Sequence, residues 1–449
     1  MASDWSTLRE TLLTASGKRG LERALRDAIR SGRLAAGLRL PSTRDLAAQL
    51  NVARGTVTSA YDQLAAEGYV VVQRGSGTRV AAIAPEQPVA AAQPAWRYHL
   101  GPGMPSLASF PRQAWASALR GAVTGLPDVD LGYADPLGFP ALRQVLAAYL
   151  GRVRAVSATA EDVVITHGTF DGIGLLAPSL NGPVAIEDPG GPDQAEMLAM
   201  HGLDYAPIPV DEDGIRVDLL AQTACRTVIV TAAHQFPMGV ALHPQRRRAL
   251  VEWAIACDGI IIEDDYDAEY RYDRPSVGAL QALCPNRVVY VGTLSKTLVP
   301  AIRLGWMVVP AALRQDLPDR RWHATRSCGT FEQAAFATLL GNGAYDRHLR
   351  RTRLLYRERR DALLQALRRY VPNWGVVGID AGLHVVVLLP PGITEDVVDL
   401  LAAQRIQVSG LSEFAHREDL APGLVLGFGA MSPAHLDEAI AAVAQAVMS

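Results

Sequence analysis

Apolar residues Leu21, Leu25, Ala28 and Ile29 recur at helical spacing and the period stops at Ser31-Gly32, which predicts an amphipathic helix over residues 19–31. Pro41-Ser42-Thr43-Arg44-Asp45 opens a second helix. Ser42 is placed to cap it, Asp45 stands where a capping-box acid reaches back, and Leu46, Ala47 and Leu50 form a buried stripe closed by Asn51. Val57, Ala60, Tyr61 and Leu64 share one face of a third helix that ends at Gly68, while the opposite face begins with Arg54, Thr56 and Thr58. The apolar run 69–73, a turn at Arg74-Gly75-Ser76-Gly77 and Thr78-Arg79-Val80 then read as a short β-hairpin with a basic tip. Three helices and a wing are complete by residue 81.

Residues 82–97 are rich in Ala and Pro and show no apolar period, as expected of a semi-extended linker that spans at most roughly 50 Å. From residue 98 the rhythm changes to apolar runs alternating with amphipathic stretches. The runs 163–166, 184–187, 227–231, 259–263 and 288–291 are nearly continuously apolar, as strands covered on both faces are. They predict an α/β domain built on a mostly parallel sheet. A helix near 345–369 and strands near 384–389 and 424–428 predict a smaller α+β lobe over 345–449. The expected organisation is therefore 1–81, 82–97 and 98–449.

Composition supports several folded units: 449 residues, 49% apolar and 20% charged, describe a globular chain too long for one ordinary domain. No apolar run reaches the roughly 18 residues of a membrane span, and the N-terminus has no signal-type apolar core, so no membrane association and a cytoplasmic address are expected. The four cysteines, Cys225, Cys257, Cys284 and Cys328, have no metal-ligand spacing and read as reduced thiols; no metal site is expected. The net charge of −3 conceals an asymmetry, because residues 1–80 hold twelve Lys and Arg against seven Asp and Glu. A small basic leading domain is suited to a phosphate backbone.

A helix-turn-helix sets the N-terminal end of its second helix in the major groove of double-stranded DNA, where side chains must reach base edges. Arg54, Thr56 and Thr58 suit that position, and Ser42 and Arg44 are placed to grip backbone phosphate. Arg74, Gly75 and Ser76 would follow the wing toward the minor groove. The stretches Gly37-Leu-Arg-Leu-Pro-Ser-Thr-Arg-Asp-Leu-Ala, Val52-Ala-Arg-Gly-Thr-Val, Glu67-Gly-Tyr-Val and Arg74-Gly-Ser-Gly-Thr resemble the GntR-type winged helix over residues 15–81. One departure is Ala53, where such sequences usually carry Ser or a similar cap; its loss costs the third helix about 1 kcal/mol.

The second domain holds another series. Asp264 and Tyr266 close the apolar run 259–263, and Gly292-Thr293-Leu-Ser295-Lys296-Thr follows the run 288–291, with Arg303 seven residues after the lysine. Gly168-Thr169-Phe170 stands at a strand-to-helix turn. Singly each is ordinary, but in this order they supply what pyridoxal 5'-phosphate needs. Lys296 is the amine that bonds the cofactor aldehyde, Asp264 the carboxylate for its ring nitrogen and Tyr266 the donor to its phenolic oxygen. Arg303, Ser295, Thr293 and the amides of Gly168, Thr169 and Phe170 form a phosphate cradle.

Over residues 98–449 the sequence resembles a fold-type I aminotransferase. More narrowly it resembles the MocR/GabR group of GntR regulators, through Leu131-Gly-Tyr133-Ala-Asp-Pro-Leu-Gly, His234-Gln-Phe-Pro-Met-Gly, Ile262-Glu-Asp-Asp-Tyr-Asp and Gly427-Phe-Gly. That resemblance implies a homodimer in which Tyr133 reaches the neighbouring subunit's cofactor phosphate. Two positions depart from it. Gly191 stands where relatives usually carry a Tyr that stacks on the cofactor, leaving Phe170 or His234 to cover the ring. Ala430 stands where amino-acid-binding relatives carry an Arg for the substrate carboxylate, unless Arg405 or Arg417 replaces it.

The expected function is a regulator that binds DNA and senses pyridoxal phosphate or an amine effector, with control of vitamin B6 or amino-compound metabolism, and no residue is assigned as catalytic. The competing readings are a working aminotransferase with an accessory front domain and a cofactor carrier.

Overall fold

The computed structural model describes residues 17–73, 77–82, 95–274, 277–416 and 420–448. The chain divides into two compact units between Gln93 and Pro94.

The first unit carries α1 (Gly17–Arg30), α2 (Thr43–Leu50), α3 (Arg54–Ala66) and an antiparallel pair, β1 (Val70–Gln73) and β2 (Gly77–Val80). Leu25, Ala28, Leu46, Val57, Ala60 and Leu64, drawn from the three apolar stripes, are completely buried in one cluster. Each large aliphatic side chain so buried stabilises the fold by about 2 kcal/mol. Ser42 caps α2 by accepting from the Asp45 amide at 3.2 Å, but the Asp45 carboxylate takes the Ser42 hydroxyl at 2.6 Å instead of reaching back to its amide. Asn51 ends α2 with a φ of 51°. Residues 37–40 lie along β2, with Gly37 N–H to the Val80 carbonyl at 2.9 Å and Leu40 N–H to the Thr78 carbonyl at 2.8 Å. This third short edge gave no alternating pattern, so the sequence did not announce it. The wing-tip residues Arg74, Gly75 and Ser76 lie outside the described residues.

The second unit opens with β3 (Tyr98–His99) and continues with β4 (Val163–Thr166), β5 (Val184–Asp188), β6 (Tyr205–Asp211), β7 (Gly214–Ile215), β8 (Thr227–Val230), β9 (Ile260–Asp264), β10 (Val288–Thr293) and β11 (Gly305–Val308). Strands β4 to β11 form one sheet in the spatial order β4, β11, β10, β9, β8, β5, β6, β7. The run from β10 through β9, β8 and β5 to β6 is parallel, and β11 lies antiparallel between β10 and β4. Parallel neighbours require crossovers, and the helices Asp193–Met200 and Pro244–Ala256 lie between β5 and β6 and between β8 and β9 in the chain. The five expected strands are present with ends moved by at most two residues. Apolar clusters cover both faces of the sheet, which is why its strands read as continuous apolar runs.

The C-terminal lobe holds β12 (Gly375–Val377), β13 (His384–Leu388), β14 (Ile406–Gln407), β15 (Ser409–Gly410) and β16 (Gly423–Gly427). An antiparallel sheet in the order β12, β13, β16, β15 shares its core with the helices Ala344–Tyr370 and Pro433–Met448. Strand β14 pairs with β3, so the opening residues of this unit join the lobe. Among the described residues no helix is long and apolar enough to cross a membrane.

Candidate functional site

Ligands gather beyond the carboxyl ends of parallel strands, and there β9 and β10 run side by side with Asp264 paired to Val291. Just past β10, the Thr293 hydroxyl accepts the Ser295 amide at 3.1 Å, a tight turn that presents Ser295 and Lys296. Lys296 Nζ donates to the Gly103 carbonyl at 2.9 Å. Burial lowers the lysine's pKa below its ordinary 10.5, against the pull of Asp267 and Asp264, which favours the neutral, nucleophilic amine.

The acids of Glu263-Asp-Asp-Tyr-Asp have separate fates. Asp265 is buried in a two-pronged pair with Arg154 at 2.7 and 2.9 Å and takes the Tyr290 hydroxyl at 2.6 Å. Asp267 faces His234 Nδ1 at 3.0 Å. Asp264 has no salt-bridge partner among the described residues and accepts from the Thr169 hydroxyl at 3.4 Å. Burial, followed by the charge of Asp265, pushes its carboxyl up to about 7. Such a carboxylate is costly until a cation meets it. A protonated ring nitrogen is that cation, so the donor set fits the group the sequence calls for.

Gly168 joins β4 to the helix Thr169–Leu176 with a φ of 119°. A Cβ built there would lie 3.5 Å from the Arg303 guanidinium. The backbone thus leaves a cradle between a helix N-terminus and an arginine, the arrangement that holds phosphate. Arg303 itself sits at φ 51°, a left-handed conformation that costs a non-glycine residue free energy. The helix is anchored from behind by Asp171, which pairs with the fully buried Arg321 at 2.7 and 2.9 Å.

One cavity of about 370 Å³ is lined by Lys296, Asp264, Tyr266, Arg303, Ser295, Thr293, Gly168, Thr169 and Phe170, nine of the ten residues expected to meet a cofactor. The tenth, Tyr133, is 81% exposed, sets its ring edge-on to Trp322 at 5.6 Å, and does not line it. Gly191 is on the wall, and Phe170 is an aromatic ring at the opening. His234 does not line the cavity; it is buried beside Tyr266, whose hydroxyl is 3.1 Å from Nδ1. Ala430 is exposed, Arg405 is spent on the Ala95 carbonyl at 2.8 Å, and Arg417 lies outside the described residues. Sequence reasoning missed Pro102, Gly103, Asp193, Gln194, Thr231 and Phe236. Phe236 was within reach, since it belongs to the motif that begins at His234. The Pro102-Gly103 pair carried no local signal.

In the first unit, Ser42, Arg44, Arg54 and Thr58 are exposed and Thr56 is half-buried. The Arg54 guanidinium contacts the Thr43 hydroxyl at 3.4 Å, which joins the starts of α2 and α3 into one polar face. The Thr58 hydroxyl turns back to the Arg54 carbonyl at 3.1 Å. Ala53 stands at the N-cap of α3 and makes no side-chain cap bond.

Residues 18–80 match the gntR family of bacterial regulatory proteins, and residues 104–443 match aminotransferase class I and II. The HTH-type pyridoxine biosynthesis transcriptional regulator PdxR of Corynebacterium glutamicum is 33% identical, with 95% of each chain covered. The probable rhizopine catabolism regulatory protein MocR of Rhizobium meliloti is 32% identical, over 96% of this chain and 94% of that one. Among solved structures, the kynurenine aminotransferase of Pyrococcus horikoshii in complex with PMP is similar with a TM-score of 0.72 and 26% identity, over 78% of this chain and 90% of that one.

Proposed function

Because the chain belongs to the aminotransferase class I and II family and carries a gntR-family regulatory domain in front of it, we propose that it is a DNA-binding transcription regulator. In this reading it senses pyridoxal phosphate, or an amine captured on it, and controls genes of vitamin B6 or amino-compound metabolism. Two whole-length relatives, a pyridoxine biosynthesis regulator and a rhizopine catabolism regulatory protein, support that range of targets.

The observation that carries the reading is the convergence of Lys296, Asp264, Tyr266 and Arg303 on one cavity in a chain that also holds an exposed polar helix-turn-helix face. Bound pyridoxal phosphate supplies an aldehyde that takes up a primary amine. Lys296 provides the resident amine, its pKa lowered by burial. Asp264 holds the proton on the ring nitrogen. Tyr266 orients the phenolic oxygen, and Arg303, Ser295, Thr293 and the Gly168-Thr169 amides bind the phosphate. Phe170 covers the ring in place of the aromatic missing at Gly191. In a homodimer, the exposed Tyr133 reaches the neighbouring subunit's phosphate. At the DNA, Arg54, Thr56 and Thr58 face the major groove, Ser42 and Arg44 hold the backbone, and Arg74, Gly75 and Ser76 follow the wing.

The likeness to working aminotransferases favours a second reading, turnover of amino and keto acids with an accessory front domain. Against it, the only cations lining the cavity among the described residues are Lys296 and Arg303, both assigned to the cofactor, which leaves none for a substrate carboxylate. Steady-state assays over amino and keto acid pairs, run beside binding of duplex DNA at low salt, separate the two. DNA binding without turnover is expected; turnover without DNA binding would establish the enzyme.

A further inference from the structure

His234 Nδ1 is 3.0 and 3.2 Å from the two Asp267 oxygens and 3.1 Å from the Tyr266 hydroxyl. His234 is 3% exposed and Asp267 2%, so the pair they form is shielded from bulk water. A ring nitrogen facing a carboxylate carries the proton, since a bare one would set lone pair against lone pair. A protonated Nδ1 has no lone pair to offer Tyr266, so at this contact the phenol oxygen is the acceptor. Burial, with Asp267 and Asp264 beside it, keeps the Tyr266 phenol protonated well beyond its ordinary range. Its hydrogen then has two destinations: the Asp267 carboxylate, to which the phenol is itself hydrogen-bonded and whose pull the Nδ1 proton weakens, or an oxygen inside the cavity that Tyr266 lines.

The imidazole cannot swing out of this arrangement. Gly382 has a φ of +70°, and a Cβ there would meet His234 Cε1 at 2.1 Å and an Asp267 oxygen at 2.7 Å. On the other side, a Cβ at Gly239 would lie 3.4 Å from Nε2. His384, whose ring is 5.3 Å away, donates its Nε2–H to the Pro237 carbonyl at 2.9 Å, and burial lowers its pKa to about 4. It therefore stays neutral and does not compete with His234 for the Asp267 charge.

We infer that His234 is a positioning residue for the cofactor: by sharing Asp267 and donating to the Tyr266 oxygen, it releases the Tyr266 hydrogen to an oxygen of the bound group. Without it, the phenol would keep its hydrogen on the buried Asp267 carboxylate. This rests on the reading of the cavity as a pyridoxal phosphate site.

The test is a double-mutant cycle on the full chain, with His234→Leu, His234→Asn and His234→Gln each made in the wild type and in Tyr266→Phe. An Asn amide nitrogen falls where Nδ1 lies, whereas a Gln amide falls beyond it. The readouts are the dissociation constant for pyridoxal phosphate and the visible absorption maximum of the loaded protein. His234→Leu and His234→Gln are expected to weaken binding about five- to tenfold, the worth of one neutral hydrogen bond, and to move the absorption in the direction that Tyr266→Phe moves it. His234→Asn is expected to restore both. In the Tyr266→Phe background none of the three should have a further effect. Equal losses in both backgrounds would overturn the inference while leaving the cofactor site intact. A Tyr266→Phe variant with unchanged affinity and absorption would instead remove the role of Tyr266 and the inference with it. Should His234→Leu fail to fold, the contrast between Asn and Gln carries the same decision.

Discussion

Lys296 Nζ and the Gly103 carbonyl, far apart in sequence, are joined by a 2.9 Å hydrogen bond between two residues that line the cavity. Gly103 holds a φ of +76°, and a Cβ on it would lie 2.7 Å from Nζ. The amine is thus fixed by a carbonyl that only a residue without a side chain can bring so close. Gly103→Ala is expected to displace the amine and slow the appearance of visible absorption on mixing with pyridoxal phosphate by about tenfold, the rate equivalent of one lost hydrogen bond. An unchanged rate in stopped-flow would show that the Gly103 contact does not prepare the lysine.

Asp264, without a salt-bridge partner among the described residues, gives stability a dependence on pH. Its carboxyl, at 3.8 when unfolded, is pushed up to about 7 by burial and then by Asp265. Between those values the folded chain holds a proton that the unfolded chain has released, so this group's contribution falls as pH rises and the loss is complete above about 7. Asp264→Asn removes the effect. The cofactor-free variant is expected to melt above the cofactor-free wild type at pH 8, by on the order of a few kcal/mol in stability, with the gap closing toward pH 4. Loaded with pyridoxal phosphate, the order should reverse, because the variant lacks the charge that holds the ring nitrogen's proton. Calorimetry at both pH values, with and without cofactor, checks both halves.

Helix α3 starts at Ala53 without a side-chain cap. Ala53→Ser supplies an oxygen for the amides of the first turn and is expected to stabilise the chain by about 1 kcal/mol. Hydrogen exchange at the start of α3 should slow by roughly fivefold in step, as opening there becomes rarer. No change in exchange would mean that the first turn is already held by other contacts.

How much of this could be read from residues alone differs between elements. The stripes of α1 to α3 were legible because each obeys its own period, and the parallel strands because burial on both faces leaves a continuous apolar signature. Asp264, Tyr266 and Lys296 were legible because two successive strand ends carry them in order, and Arg303 because it follows the lysine by seven residues. The 37–40 edge of the wing was not, since it is held by backbone bonds to β2 that leave no side-chain pattern. Gly103 was not, because its bond to Lys296 spans 193 residues. Of the two candidates for covering the cofactor ring, Phe170 and His234, the second is engaged by Asp267, a matter of tertiary placement that puts it behind Tyr266 instead.

The central claim is that the cavity and the helix-turn-helix face influence each other, which requires the two cofactor states to differ in DNA affinity. The direct measurement is fluorescence anisotropy of a duplex from upstream of the chain's own coding sequence, titrated at one fixed salt concentration with the cofactor-free and the pyridoxal phosphate-loaded full chain, and with Lys296→Ala. A shift of about fivefold or more between the two wild-type curves, absent in Lys296→Ala, is the expected result. Superimposed wild-type curves, or no binding at low salt, would contradict the account.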